Sequence, residues 1–214
     1  MLIELLPKWK MHSRLKVAVS GGVDSMSLLH FLTQVRERDV SVLHVNHHTE
    51  RANDYMEFVR AYCKARDLHL DIYDMPEQLD ASTSLEHWWS KHRREWFASF
   101  GVPVYLAHHL DDQVETWLMS CLQGRSALMP WSTPFNCYRP FILTRKHNLY
   151  EYAKQHNIPW LEDPTNRDPT SGYRNRVRNT LLPAVLETNR GIYTVVRGKI
   201  LDDWNTSRKR EVEV

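Results

Sequence analysis

The sequence predicts an α/β fold: a doubly wound parallel sheet with helices on both faces, followed by a small basic helical segment. Two observations predict it. Short apolar, β-branched runs alternate along residues 17–122 with stretches whose apolar residues recur at helical spacing. The polar clusters fall where a run ends and a helical stretch begins, the layer in which such sheets bind ligands.

The first strand is the run at residues 17–19. It ends in Ser20-Gly21-Gly22, and a helix follows at once, with Ser25, Leu28, Leu29 and Leu32 on one face. Residues 40–45 form a second buried strand, and Tyr55, Phe58, Val59, Tyr62 and Cys63 mark the helix after it. Residues 68–73 are a third strand. Ser84 is placed to cap a helix carrying Leu85, Trp88, Trp89, His92 and Trp96. The fourth strand spans 102–107, before a helix face of Val114, Trp117, Leu118, Cys121 and Leu122. Residues 124–134 read as loop. A helix over 144–156 presents Leu149, Tyr152 and Ala153; Pro164 and Pro169 punctuate a polar loop, and a basic helix runs from 173 to 186. From Asp202 onward the chain is polar and expected to be loosely held.

The turn after the first strand is built to hold phosphate. Paired glycines let the backbone turn with no Cβ in the way, so several N–H groups can face one anion. The helix start adds unpaired N–H groups and the positive end of its dipole. Ser20 and Ser25 add hydroxyls. Neither the Walker lysine pattern nor G-x-G-x-x-G occurs. A glycine turn before an ordinary helix is the plainer reading, but two flanking serines and Asp24 at the helix start speak for an anion site.

Three further clusters lie downstream. His108-His-Leu-Asp111-Asp112-Gln-Val-Glu115-Thr116 opens the helix after strand four. Asp112, Glu115 and Thr116 are spaced i, i+3, i+4 and share a face. They suit Mg²⁺, an ammonium group or a proton taken from one; an N-capping acidic turn is the alternative. His44-Val-Asn46-His47-His48 closes strand two, either lining a nucleotide pocket or, less simply, holding a metal. Arg174 and Arg178, four apart on the basic helix, suit the phosphates of ATP or of RNA; a salt-bridged surface helix is the alternative.

Hydrophobic residues make up 42% of the 214 and charged residues 25%, as in a globular protein of one large domain. Eight tryptophans are many for this length, so some are expected at a contact surface. No apolar run approaches a membrane span, and the start does not read as a signal peptide. Cys63, Cys121 and Cys137 lie far apart with no C-x-x-C pair, which indicates a reducing compartment and no structural zinc. Net charge is only +2, but residues 139–210 carry 14 Lys/Arg against 7 Asp/Glu, while residues 1–138 carry 14 against 17. A basic last third suggests a polyanion contacted on one side.

Together these clusters resemble tRNA(Ile)-lysidine synthetase, a member of the pyrophosphate-loop ATPases, across residues 15–185. Ser20-Gly-Gly-Val-Asp-Ser25 is similar to the family's loop, His44-Val-Asn-His47 to its segment after strand two, and Glu86 with Arg93 to a helix bearing spaced Glu and Arg. The acidic motif at 108–116 resembles its second signature, and Glu162-Asp-Pro-Thr-Asn166 with Arg174-Asn175 and Arg178 its third. The chain departs from the family pattern at His48-Thr49-Glu50, Ser90 and Arg94. The resemblance implies an adenine nucleotide α-hydrolase-like, Rossmann-like catalytic domain over 1–190, a C-terminal tail over 191–214, and a short form without the family's further domains. It implies adenylation of the C2 carbonyl of the wobble cytidine in the anticodon loop of an isoleucine tRNA. The amine of L-lysine then displaces AMP. ATP and Mg²⁺ are the implied cofactors, with a cytoplasmic setting and a possible homodimer. Catalytic candidates are Asp24, Asp112, Glu115 and Arg93, with Asp24 and Asp112 on the metal. Nucleotide-binding candidates are Ser20, Gly21, Gly22, Asp24 and Ser25 in the loop. His44, Asn46, His108, Arg174 and Arg178 join them from elsewhere. Another RNA or small-molecule acceptor, a metal-dependent phosphoesterase and a non-catalytic RNA-binding derivative are the alternatives.

Overall fold

The computed structural model describes residues 2–78, 84–163, 168, 170 and 172–212, with the backbone alone for residues 86 and 209–212. Five strands form one sheet: β1 Arg14–Ala18, β2 Asp39–Asn46, β3 Leu70–Asp74, β4 Val104–Tyr105 and β5 Cys137–Tyr138. Every pairing is parallel, and the spatial order is β3-β2-β1-β4-β5. Five helices follow the strands in turn: α1 Val23–Thr33, α2 Ala52–Lys64, α3 Leu85–Ser99, α4 Leu110–Cys121 and α5 Lys146–Gln155. The expected doubly wound sheet is therefore present.

Side chains alternate between the two faces of each strand, and the core divides accordingly. Leu15, Val17 and Val42 pack against α1, α2 and α5. Their neighbour Leu43 turns the other way, onto Phe97 of α3, Val104 and Cys137. β1 is central, and the strand order reverses between it and β4. The turn after β1 and the turn after β4 thus open beside each other, at the point where open sheets of this kind admit ligands.

Beyond the sheet the chain is helical. The basic helix expected over 173–186 is one continuous rod from Tyr173 to Thr188: α6 Tyr173–Arg176, a π-helical turn Val177–Leu181, and α7 Leu182–Thr188. Such π turns often sit at functional sites. Residues 191–214, read from sequence as a tail, instead contain a 21-residue helix, α8 Ile192–Val212. It packs on α4, and Ile192, Val196, Ile200 and Trp204 join Leu110, Val114 and Leu118 in a second apolar core. Polarity beyond Asp202 misled the sequence reading, because one helix face still buries Trp204, 4% exposed. The fifth strand also escaped it: two residues carry no periodicity. Among the described residues no helix is long and apolar enough to cross a membrane.

Candidate active site

The turn after β1 is held open by its own side chains. The Ser20 and Ser25 hydroxyls lie 3.2 Å apart, Ser25 Oγ donates to the Gly22 carbonyl at 3.0 Å and accepts from the Ser20 N–H at 3.1 Å. Gly21 takes φ +93°, and a Cβ there would meet the Tyr55 ring at 3.0 Å. Gly22 caps α1 with no side-chain bond to the helix, so that end keeps its donors for a ligand.

A cavity of about 700 Å³ opens over this turn, a size that suits a small-molecule ligand. Ser20, Gly22, Asp24 and Ser25 line one side, and His108, Asp112 and Arg174 another; His44 and Arg93 close it from β2 and α3. Gly21, Asn46, Glu115 and Arg178 are not among its lining residues. Asn46, read from sequence as a nucleotide contact, is engaged with the end of β3 and its own loop: its amide donates to Asp74 at 3.0 Å and its carbonyl oxygen accepts from the His48 N–H at 3.0 Å. Gly21 serves by shape, since its carbonyl accepts from the Leu161 N–H at 3.0 Å. The His44 ring, buried, is tied to the Val19 carbonyl at 2.8 Å.

At the start of α4, His109 and Asp112 cap each other. The His109 N–H donates to Asp112 Oδ2 at 3.0 Å, and the Asp112 N–H donates to His109 Nδ1 at 3.3 Å. With Nδ1 accepting, the neutral ring carries its proton on Nε2. That nitrogen lies 3.5 Å from Asp112 Oδ2 and 3.6 Å from Asp24 Oδ2, so one buried imidazole joins the two carboxylates. Burial pushes the Asp112 carboxyl up, but His109, His108 and Arg174 outweigh it and hold the group well below the usual carboxylate range. Asp24 is likewise raised by burial and brought down overall by His109 and the Lys146 ammonium. Asp24 Oδ1 is buried without a hydrogen-bond partner.

Asp112, Glu115 and Thr116 do share a face, and the basic rod lies along it. Arg178 grips Glu115 with two bonds, Nε to Oε1 at 2.6 Å and a terminal nitrogen to Oε2 at 2.9 Å, and stands 3.6 Å from Asp112. Arg174 bonds Thr116 at 2.9 Å, while its Nε lies 3.2 Å from Glu115 Oε2 but is not aligned to donate to it. The guanidiniums expected on phosphate therefore face a carboxylate that is 2% exposed. Arg93 sits across the cavity, where its charge adds to burial in pushing His47 down to about 4. The Glu86 side chain and residues 164–167, Asn166 included, lie outside the described residues.

Sequence reasoning missed Lys146, and named Asp111 only as part of the acidic motif. Lys146 Nζ donates to Asp24 Oδ2 at 3.1 Å from the first turn of α5. Asp111 Oδ2 accepts from the Lys146 N–H at 2.7 Å, and its Oδ1 accepts from the Tyr193 hydroxyl of α8 at 3.0 Å. One signal was available: Arg145 and Lys146 place two cations at a helix N-terminus, against the dipole, where acidic residues are usual.

Among the described residues no three His, Cys, Asp or Glu side chains are grouped to hold a metal. A cation here would lean on one or two carboxylates and on substrate oxygens, which is the habit of Mg²⁺; the unpaired oxygen of Asp24 fits that role.

Residues 2–185 match the PP-loop domain family. The chain is 32% identical over 199 residues to the tRNA(Ile)-lysidine synthase of Staphylococcus aureus strain COL, covering 85% of this chain and 46% of that protein. It is 36% identical over 200 residues to the protein of the same name from Enterococcus faecalis strain ATCC 700802 / V583, covering 85% and 42%. The chain thus spans less than half the length of the curated relatives it matches. In architecture it is similar to the U34-tRNA thiolase NcsA from Methanococcus maripaludis, with TM-score 0.68, 16% identity, and 90% and 73% of the two chains covered. It is also similar to the NH3-dependent NAD synthetase from Campylobacter jejuni, with TM-score 0.50, 13% identity, and coverage of 90% and 86%. At those identities the likeness is one of fold.

Proposed function

The chain belongs to the PP-loop domain family, and on that premise we propose that it is an ATP-dependent ligase that forms lysidine on an isoleucine tRNA. ATP is cut between its α- and β-phosphates, the C2 carbonyl oxygen of the wobble cytidine takes the adenylyl group, and the amine of L-lysine displaces AMP. One observation supports this reading above the others. The serine–glycine turn after β1 and the acidic turn after β4 line one cavity at the reversal of strand order, joined through His109.

Each side of that cavity has a task. Ser20, Ser25 and the open end of α1 would hold the departing pyrophosphate. Mg²⁺, held by Asp24 with Asp112 beside it, would supply charge neutralisation on the phosphates. Asp112, with its pKa held down, suits the binding of an ammonium group better than the removal of its proton. Glu115 is engaged by Arg178 here, so its part in amine transfer requires that pair to part. Arg93 would face the acceptor from α3, and the basic last third would meet tRNA phosphates. A cytoplasmic setting follows from a tRNA substrate.

The test is incubation of the full chain with ATP, Mg²⁺, L-lysine and tRNA carrying a wobble cytidine. AMP and pyrophosphate should form in step with lysidine, read by mass spectrometry of the nucleosides. ADP as the main product would remove the adenylation. AMP without lysidine would keep adenylation and move the acceptor to another RNA or a small molecule.

A further inference from the structure

The loop after β1 has no lysine of its own, yet an ammonium reaches it from elsewhere in the chain. Lys146 stands 122 residues after Asp24 in sequence, and its Nζ lies 3.1 Å from Asp24 Oδ2. It lines the same cavity as Ser20, Gly22 and Ser25. Its backbone is fixed from two sides. Asp111 of α4 accepts from its N–H, and Tyr193 of α8 holds Asp111. The backbone of Lys146 is thus anchored independently of its ammonium.

Three other cations near the site are committed to other groups. Arg178 grips Glu115 through two bonds and Arg174 stands against the same carboxylate and Thr116. Arg139 donates to the Pro130 carbonyl and to His108. Lys146 alone among these is paired with the carboxylate of the turn itself. Asp24 Oδ1 is left for a divalent cation while Lys146 holds Oδ2, and a cation there would weaken the pull of Asp24 on the ammonium.

We propose that Lys146 is a catalytic residue of this site, a phosphate-contacting cation that does from α5 what a lysine inside the loop does in Walker-type enzymes. The inference rests on the reading above. In the adenylation step a bond forms between the acceptor's carbonyl oxygen and the α-phosphorus. The bond from that phosphorus to the oxygen bridging to the β-phosphate breaks, and its electron pair leaves on pyrophosphate. Lys146, released from Asp24, would neutralise the charge that grows on those oxygens.

The test uses the full chain, with ATP affinity measured by displacement of a fluorescent nucleotide, with and without Mg²⁺, beside thermal unfolding and AMP release. Lys146→Met should weaken ATP binding on the order of tenfold or more, the size of a lost charge-assisted contact, and slow AMP release further. Lys146→Arg should recover most of the binding. Should Lys146→Met not fold, Lys146→Gln keeps a donor for Asp24 without the charge and carries the same expectation. Wild-type ATP affinity and AMP release in Lys146→Gln or Lys146→Met would overturn the proposal and leave the pair with Asp24 as a structural tie. A wild-type chain that binds no ATP would overturn the proposed adenylation as well, so the two failures are distinguishable.

Discussion

His108 and His109 are adjacent, and their surroundings drive them apart. Arg139 Nε donates to His108 Nδ1 at 3.3 Å, so that nitrogen must be an acceptor and the ring neutral. Burial pushes its pKa down to about 4 from an ordinary 6.5, and Arg139 adds to the effect. His109 is also penalised by burial, but Asp112 and Asp24 draw its pKa up. The sign for His108 follows from linkage. Below pH 6.5 the unfolded chain takes up a proton that folded His108 refuses until about pH 4, so its contribution to stability falls as pH falls through that window. We expect the thermal midpoint of wild type to drop between pH 7 and pH 4.5, and His108→Asn to flatten part of that drop; identical slopes for both proteins would sink the assignment. At this scale the motif was legible and its partners were not. The spacing of Asp112, Glu115 and Thr116 fixed a shared face, and Arg174 and Arg178 do meet it. That these cations would meet carboxylate and hydroxyl, and that Lys146 would arrive at Asp24, depends on contacts 58 to 122 residues apart, which no local pattern carries.

The strand–turn–helix units carry the site because their turns are sterically specified. Gly21 and Gly22 look alike in sequence and differ in the fold. Gly21 has φ +93° and faces the Tyr55 ring at 3.0 Å, whereas Gly22 has φ −78° and its nearest neighbour is Ser20 Oγ at 3.6 Å. Gly21→Ala should therefore cost about 1–3 kcal/mol of folding stability through backbone strain and weaken nucleotide binding. Gly22→Ala should leave stability nearly unchanged and act on nucleotide alone. Chemical denaturation and ATP titration of both variants check this, and equal destabilisation by the two would refute it. Strands and helices around these turns were readable because apolar residues recur at helical spacing in the helices and the strands β1 to β3 are five to eight residues long. β4 and β5 have two residues each. They exist as strands because β1 offers β4 an edge and β4 offers one to β5, a tertiary cause invisible to propensity. The π turn at Val177–Leu181 is similarly set by packing, with Val177 buried against the second core.

Among the described residues the apolar core falls into three clusters, and the cavity is lined from the two that flank the sheet. The sheet core fixes α1 and its turn; the second core fixes α4 between the sheet and α8. Family membership extends to residue 185, short of α8, yet α8 supplies Tyr193 to Asp111 and through it holds the root of Lys146. It also ties the chain's beginning to its end, since Trp204 Nε1 donates to the Pro7 carbonyl at 3.2 Å and Arg197 pairs with Glu4. A sequence reading that ends the domain at 190 predicts that removing residues 191–214 does little. The packing predicts the reverse. Ile192, Val196, Ile200 and Trp204 are each at most 4% exposed. At roughly 1.5–3 kcal/mol per buried side chain their loss amounts to about 6–12 kcal/mol, an upper bound. A typical domain has only about 5–15 kcal/mol in total, so the truncated chain should lose its cooperative thermal transition or precipitate. Tyr193→Phe separates the brace from the core. It deletes one hydroxyl, should keep the fold, and should weaken ATP binding modestly by loosening Asp111 and hence Lys146. A truncated chain that melts and binds nucleotide like the full one would restore the reading of α8 as a dispensable tail.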